Sequence, residues 1–202
     1  IVEEQILQER IVRIEKSMLR GTRPRSIGYN ARIPTHGPRI ADAIIRVHTG
    51  SGVTGIGWSG LQQEQAQQLV GRTVGELFQL PDGSLEEGMI IDLPLWDLVA
   101  RGMDLPLHRL LGARGSRQVE VYDGSIYIDD LEASDEEAID IFHDEVTSGQ
   151  EHGYRNFKIK VGRGARWMDT EPGLQRDALV VHAVRDAAGA GAKIMIDANM
   201  GN

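Results

Sequence analysis

Two stretches decide the fold: Gly153-Tyr154-Arg155-Asn156-Phe157-Lys158-Ile159-Lys160-Val161-Gly162, and further on Lys193-Ile194-Met195-Ile196-Asp197-Ala198-Asn199. Residues 157–161 and 193–198 are apolar runs of strand length. Between them Thr170-Glu171-Pro172 opens a helical pattern carrying Leu174, Ala178, Val181 and Val184. Upstream, residues 119–128 read as a strand. Ser134 and Glu137 then form a capping-box pattern that starts a helix running to about Gly149. Strand, helix, strand, helix, strand at spacings of roughly 35–40 residues predicts a parallel βαβαβ array.

Side chains on a strand alternate between its faces. Phe157, Ile159 and Val161 therefore point one way, Lys158 and Lys160 the other. Helices cover both faces of a parallel sheet or line the outside of a barrel. The apolar set meets the helices, and the lysines face a barrel interior or the open end of a sheet. Only 4 residues of the chain are lysines (16, 158, 160, 193), so the choice of lysine twice here is informative. An arginine keeps its proton in a protein, whereas a lysine can act as a base. Burial and a neighbouring ammonium both favour the neutral amine, and residues two apart on a strand lie roughly 7 Å from each other. Spacing alone also allows a solvated pair on an edge strand.

The next strand repeats the arrangement. Ile194, Ile196 and Ala198 share one face; Lys193, Met195, Asp197 and Asn199 share the other. Asp197 and Asn199 fall at the C-terminal end of a parallel strand, where ligands of such sheets and barrels bind. A carboxylate and an amide there suit a hard cation and its ligand, although Asp, Asn and Gly are also ordinary turn residues. Taken jointly, a lysine pair beside a carboxylate suits removal of the proton α to a carboxylate. A cation stabilises the enediolate and a lysine takes the proton.

The first half of the chain is organised differently. Residues 10–20 alternate as a strand, with Ile11, Ile14 and Met18 as burial candidates. Residues 43–49 and 53–58 read as two strands joined by Gly50-Ser51-Gly52, a hairpin turn rather than a phosphate loop, since no lysine follows. Helices are predicted over 61–79 (Leu61, Leu69, Val70, Leu77, Phe78), over 85–101 (Met89, Ile90, Leu93, Trp96, Val99, Ala100, with Pro94 demanding a kink or a later start) and over 106–112. Trp58 and Trp96 read as packing residues. This is an α+β unit whose boundary falls near 113–118. From Gly21 to Ala41 the chain has four arginines (23, 25, 32, 39) and no acid, which predicts an irregular, cationic connection.

The 202 residues carry 22 basic and 30 acidic side chains, a net charge of −8. That sign disfavours nucleic acid as a partner. No run is long enough for a membrane helix and no signal peptide opens the chain, so the reading is cytoplasmic with no membrane partner. The absence of cysteine excludes disulfides, thiolate metal sites and a thiol nucleophile. The chain starts at Ile1 rather than Met and stops just after a strand; it reads as a truncated part of a longer protein.

Three segments resemble the mandelate racemase/muconate lactonizing enzyme group of the enolase superfamily. Leu95-Trp96-Asp97-Leu98 with Leu105-Pro106-Leu107-His108-Arg109-Leu110-Leu111-Gly112 is similar to the end of that family's N-terminal capping domain. Residues 153–162 resemble its second barrel strand with the Lys-x-Lys motif, and Asp197-Ala198-Asn199 the end of its third strand. The resemblance implies a fold class of α/β type: an α+β capping domain over 1–115 with a lid loop near 21–41, then over 116–202 the first three β/α units of a (β/α)8 TIM-type barrel. It implies Lys160 as catalytic base and Lys158 as its companion near the substrate carboxylate. It also implies Asp197 as one ligand of Mg²⁺, with the remaining ligands beyond residue 202, and Asn199, Arg23 and Arg25 near the substrate. A small anionic carboxylate substrate and a homo-oligomer are implied as partners.

The activity implied is a Mg²⁺-dependent hydroxy-acid or acid-sugar dehydratase or racemase, an enolase-superfamily lyase or isomerase, with cycloisomerisation or dipeptide epimerisation as alternatives. A barrel needs about 250 residues, so these 202 alone are not expected to be competent. The rival class is a non-catalytic α/β module.

Overall fold

The computed structural model of the protein describes residues 2–201, apart from the side chains of residues 2–4, 24 and 25. Two units form: Ile1–Gly21 with Ile40–Ser116, and Thr22–Arg39 with Arg117–Asn202. The sequence boundary near 113–118 does not account for the second unit's claim on residues 22–39.

Helix α1 (Val2–Gln8) precedes a sheet ordered β1 (Ile11–Ile27), β2 (Gly37–Thr49), β3 (Thr54–Trp58), of which residues 22–27 and 37–39 are counted with the second unit. Strands β2 and β3 pair antiparallel from Ile44↔Trp58 to His48↔Thr54 around the glycine turn. The strands β1 and β2 extend into much of the segment expected to be irregular, leaving 28–36 as the connection. Backbone pairing decides this, and the edge position of β1 tolerates residues that a central strand would not. Ile11 is buried, but Met18 and Trp58, expected inside, are exposed.

The helix expected over 61–79 is broken. α2 (Gln63–Leu69) stops where Val70 turns extended, and the chain passes through a 3-10 turn at Val74–Glu76 into β4 (Phe78–Gln79), which pairs with β5 (Gly83–Ser84). Leu77 and Phe78 reach the core by this route, while Val70 is exposed. A 3-10 segment, Glu86–Ile91, likewise precedes α3 (Asp92–Gly102). Pro94 sits in the first turn of α3, where its missing N–H forfeits no helical bond. The change of helix type shifts the burial phase: Ile91, Leu95, Leu98 and Val99 face the core, and Met89 and Leu93 face water. Strand β3 lies directly on α3. A Cβ at Gly55 would come 2.1 Å from the Pro94 carbonyl oxygen, and Asp97 Oδ2 accepts the Ile56 N–H at 2.8 Å. Trp96 meets Phe78 edge to face at 4.8 Å. The short α4 (Leu107–Leu110) follows.

The second unit contains the parallel sheet. β6 (Asp123–Ile126), α5 (Asp135–Glu151), β7 (Phe157–Lys160), α6 (Thr170–Ala188) and β8 (Ile194–Asp197) alternate, in sheet order β6-β7-β8. Ser134 caps α5 as its spacing predicts: its Oγ accepts the Glu137 N–H at 3.2 Å, and Glu137 Oε2 accepts the Ser134 N–H at 2.8 Å. Those bonds hold the Glu137 carboxyl below its ordinary range. Phe142 and Val146 of α5, Val180 and Val184 of α6, and Ile126, Phe157 and Ile159 of the sheet close one core. β6 occupies only the second half of the run 119–128; Val119, Val121 and Tyr122 are exposed. Ile196, expected against helices, is 60% exposed among the described residues.

Residues 29–32 are anchored within this unit. Tyr29 and Ile128 exchange backbone hydrogen bonds of 3.0 and 2.9 Å. The Trp167 indole donates to the Asn30 carbonyl at 2.6 Å, Arg166 to the Arg32 carbonyl at 2.6 Å, and Arg32 to the Met200 carbonyl at 2.7 and 2.9 Å. No helix among the described residues is long and apolar enough to cross a membrane.

Candidate active site

The middle strand of the parallel sheet sets the site. Phe157 and Ile159 are fully buried against the helices, so the alternation of β7 turns Lys158 and Lys160 to the opposite face. The parallel register sets Lys160 beside Asp197 and Lys158 beside Met195. Lys160, 5% exposed, donates from Nζ to Asp197 Oδ2 at 2.5 Å. Lys158 Nζ lies 3.2 Å from the same oxygen. One carboxylate thus serves two ammonium groups. The hydrogen bond from Lys160 holds the Asp197 carboxyl down at about 2, against the upward push of desolvation; the Asn199 N–H and Lys158 add to the lowering.

Asn199 is the second residue past β8. Its backbone lies at φ 45°, and its N–H donates to Asp197 Oδ1 at 3.1 Å. Its side-chain Oδ1 is buried and has no hydrogen-bond partner among the described residues. Four of the sequence candidates, Lys158, Lys160, Asp197 and Asn199, are therefore gathered at one end of β7 and β8. Arg23 is engaged elsewhere: its Nη1 donates to the carbonyls of Gly37 and Arg39, at 3.2 and 2.8 Å. The side chain of Arg25 lies outside the described residues.

The sequence reading missed two aromatic walls. The Lys158 ammonium stands 5.7 Å from the centre of the Tyr122 ring, and that of Lys160 stands 5.4 Å from the centre of the Tyr127 ring. His36, from the 28–36 connection, meets Tyr127 edge to face at 5.8 Å. Parity with the buried Ile126 and Ile128 could have put Tyr127 on the lysine face. The register irregularity between Asp123 and Ile126 hides that signal.

Magnesium takes near-octahedral oxygen ligation. This cluster offers one carboxylate, and its Oδ2 is already shared by two ammonium groups. Among the described residues no group of three His, Cys, Asp or Glu side chains could hold a metal ion. The described residues do not by themselves fit the ion.

The described site is a Lys-x-Lys strand facing an aspartate at the end of the next strand of a parallel β/α array. Over the N-terminal part of their fold the chain is similar to mandelate racemase/muconate lactonizing-like enzymes of the enolase superfamily. Residues 142–202 match the family model described as enolase C-terminal domain-like. Galacturonate dehydratase from Geobacillus sp., solved with D-galacturonate and 5-keto-4-deoxy-D-galacturonate, is 34% identical; the match covers 96% of this chain and 52% of that one, with a TM-score of 0.84. A mandelate racemase/muconate lactonizing protein from Geobacillus sp. Y412MC10, solved with magnesium and tartrate, is 34% identical over the same shares, with a TM-score of 0.82. D-galactarolactone cycloisomerase of Agrobacterium fabrum is 31% identical over 112 residues, 55% of this chain and 26% of that protein. The chain spans about half the length of the solved relatives.

Proposed function

We propose that the protein removes the proton α to the carboxylate of a hydroxy acid or acid sugar, as a Mg²⁺-dependent dehydratase or racemase, with Lys160 as the base. The observation that carries this is the Lys160 amine: almost fully buried, at a strand's C-terminal end, with a second lysine on the same face and a shared carboxylate between them. In its neutral form Lys160 Nζ accepts the proton as the Cα–H bond breaks, and the electron pair moves into the substrate carboxylate to give an enediolate. Lys158, as ammonium, pairs with the carboxylate that gains this charge. After the Lys160 ammonium trades a proton with solvent, return of a proton to the face it left exchanges the α-hydrogen with retention; racemisation requires a second acid on the opposite face of the carbon. Loss of a β-hydroxyl as water instead gives dehydration. The Tyr122 and Tyr127 rings stand beside the two amines at cation–π distance. Asn199 would offer its free Oδ1 to a substrate hydroxyl.

Magnesium enters this reading from the family resemblance and from the Geobacillus magnesium complex, with Asp197 as one ligand. The test is deuterium incorporation at Cα in D2O, using the full-length protein, Mg²⁺ and a panel of hydroxy acids and acid sugars that includes D-galacturonate. Exchange should occur with at least one acid, stop with chelator, and stop in Lys160→Ala. Undiminished exchange in Lys160→Ala sinks the proposal. The likeness to a cycloisomerase favours a second reading; galactarolactone in the same panel, converted without net loss of water, would select it.

A further inference from the structure

Three charged side chains, Arg163, Asp130 and Asp177, are buried together just beyond the lysine pair with Arg176 half-buried at their edge, and the proton-transfer reading uses none of them. Arg163, three residues after Lys160, is fully buried. Its Nε donates to Asp130 Oδ1 and Oδ2 at 3.1 and 3.2 Å, and its Nη2 to Asp130 Oδ1 at 2.6 Å. Its Nη1 donates to Asp177 Oδ1 at 2.6 Å. Arg176 donates from Nη1 to Asp130 Oδ2 at 3.1 Å. Asp177 turns its other oxygen to the main chain, accepting the N–H groups of Gly162 at 2.8 Å and of Arg163 at 3.3 Å. Arg176 also donates from Nε to Asp135 Oδ1 at 2.9 Å, so two arginines face three aspartates, Asp135 being the exposed one.

Such a network is a poor source of net stability, because desolvation offsets most of the attraction between its charges. It is a good source of geometry. A guanidinium fork held between two carboxylates has one fit, which an ammonium cannot reproduce. The points it ties together are the exit of β6 (Asp130), the exit of β7 (Gly162 and Arg163) and the body of α6 (Arg176 and Asp177). Gly162 stands at φ 96°, a left-handed conformation that glycine adopts without strain and a residue with a Cβ would not. A second contact clamps the same turn to α6: a Cβ on Gly173 would lie 2.4 Å from the Gly164 nitrogen. Between this clamp and Lys160 stands only Val161, whose N–H donates to the Asp197 carbonyl at 3.2 Å.

We infer that Arg163, Asp130 and Asp177 are positioning residues that fix the exit of β7 and so hold the Lys160 amine against Asp197. The catalytic arm of the test rests on the proposed role of Lys160; the structural arm does not.

Arg163→Lys keeps the charge and loses the fork. Asp177→Asn keeps an acceptor for the Gly162 N–H and loses the charge. In the full-length protein, on the acid that gives exchange, each variant should lower kcat by roughly ten- to a hundredfold with KM unchanged, as a misplaced base does. Arg101→Lys, at an exposed ion pair in the first unit, should leave both constants alone. A crystal structure of Arg163→Lys should show Lys160 Nζ withdrawn from Asp197 Oδ2. Wild-type kcat in a folded Arg163→Lys overturns the inference, as does an unmoved Lys160 in its crystal structure. If Arg163→Lys does not fold, wild-type kcat in Asp177→Asn overturns it equally. If Lys160→Ala keeps its exchange, the proton-transfer reading fails instead, and the position of Lys160 in the variant crystals decides the inference alone.

Discussion

Replacing Asp197 by Asn removes the one negative charge between two ammonium groups, and the consequence is a pH-dependent loss of stability. The Lys160 hydrogen bond holds the Asp197 carboxyl at about 2, below its ordinary 3.8. A carboxyl whose pKa is lower in the folded than in the unfolded chain stabilises the fold above its unfolded value. That stabilisation fades as pH falls towards the folded value. The difference corresponds to about 2.4 kcal/mol. With 29% of the Asp197 side chain in water, screening reduces this to about 1–2 kcal/mol. The assay is urea unfolding of the wild type and Asp197→Asn in chelator, at pH 5, 3 and 2. The wild type should be more stable by about 1–2 kcal/mol at pH 5, and the gap should close by about pH 2, where its carboxyl also becomes neutral. Other carboxylates titrate in both proteins and cancel in the difference. A gap that stays constant from pH 5 to pH 2, or that is absent at pH 5, would refute the pairing of Asp197 with the lysines.

Three further perturbations test the scaffold that carries this cluster. Phe142→Ala empties the centre of the second unit's core and should cost about 3–5 kcal/mol in urea unfolding. Ser134→Ala removes the side-chain half of the α5 capping box and should cost about 1 kcal/mol, with the amide of Glu137 exchanging faster by hydrogen-exchange NMR. Gly162→Ala puts a Cβ 2.8 Å from that of Ala31 at φ 96°; it should cost about 1–3 kcal/mol and lower the melting temperature.

What sequence alone could reveal here follows from how local each signal is. The alternation in 157–160 is a period-two pattern on a strand paired on both sides, so neighbours on either side enforce it and its reading survives folding. The capping box at Ser134 and Glu137 is equally local: both of its bonds span three residues. The helices of the first unit were harder. Leu61, Leu69, Leu77, Phe78, Val99 and Ala100 are buried as their pattern predicts, but a 3-10 segment at Glu86–Ile91 shifts the angular phase of the second helix. Met89 and Leu93 therefore rotate outward, and Leu95 and Leu98 rotate in. Hydrophobic periodicity presumes one helix type throughout, and nothing in Glu-Glu-Gly-Met-Ile-Ile announces the change. Ile196 failed for another reason: an apolar residue states what it would bury against, not whether a covering element is there.

The arginines mark the deeper limit. Four between 23 and 39 drew attention because they crowd a segment without acids, yet Arg23 and Arg32 satisfy backbone carbonyls. Arg163 lies in an unremarkable Gly-Arg-Gly and is the fully buried one. Composition registers how many charges a stretch has; burial depends on partners far along the chain, here 14 and 33 residues away. Asp130 and Asp177 looked like an ordinary loop residue and an ordinary helix residue because each is half of a pair that only the packed β/α units bring together. A buried charge is tolerated where its partners are fixed before it arrives. The pairing that hides these residues in the sequence ties Asp130 and Asp177 to Arg163 at the exit of β7, three residues past Lys160, so a substitution that keeps the charge but loses the fork, Arg163→Lys, should move the amine.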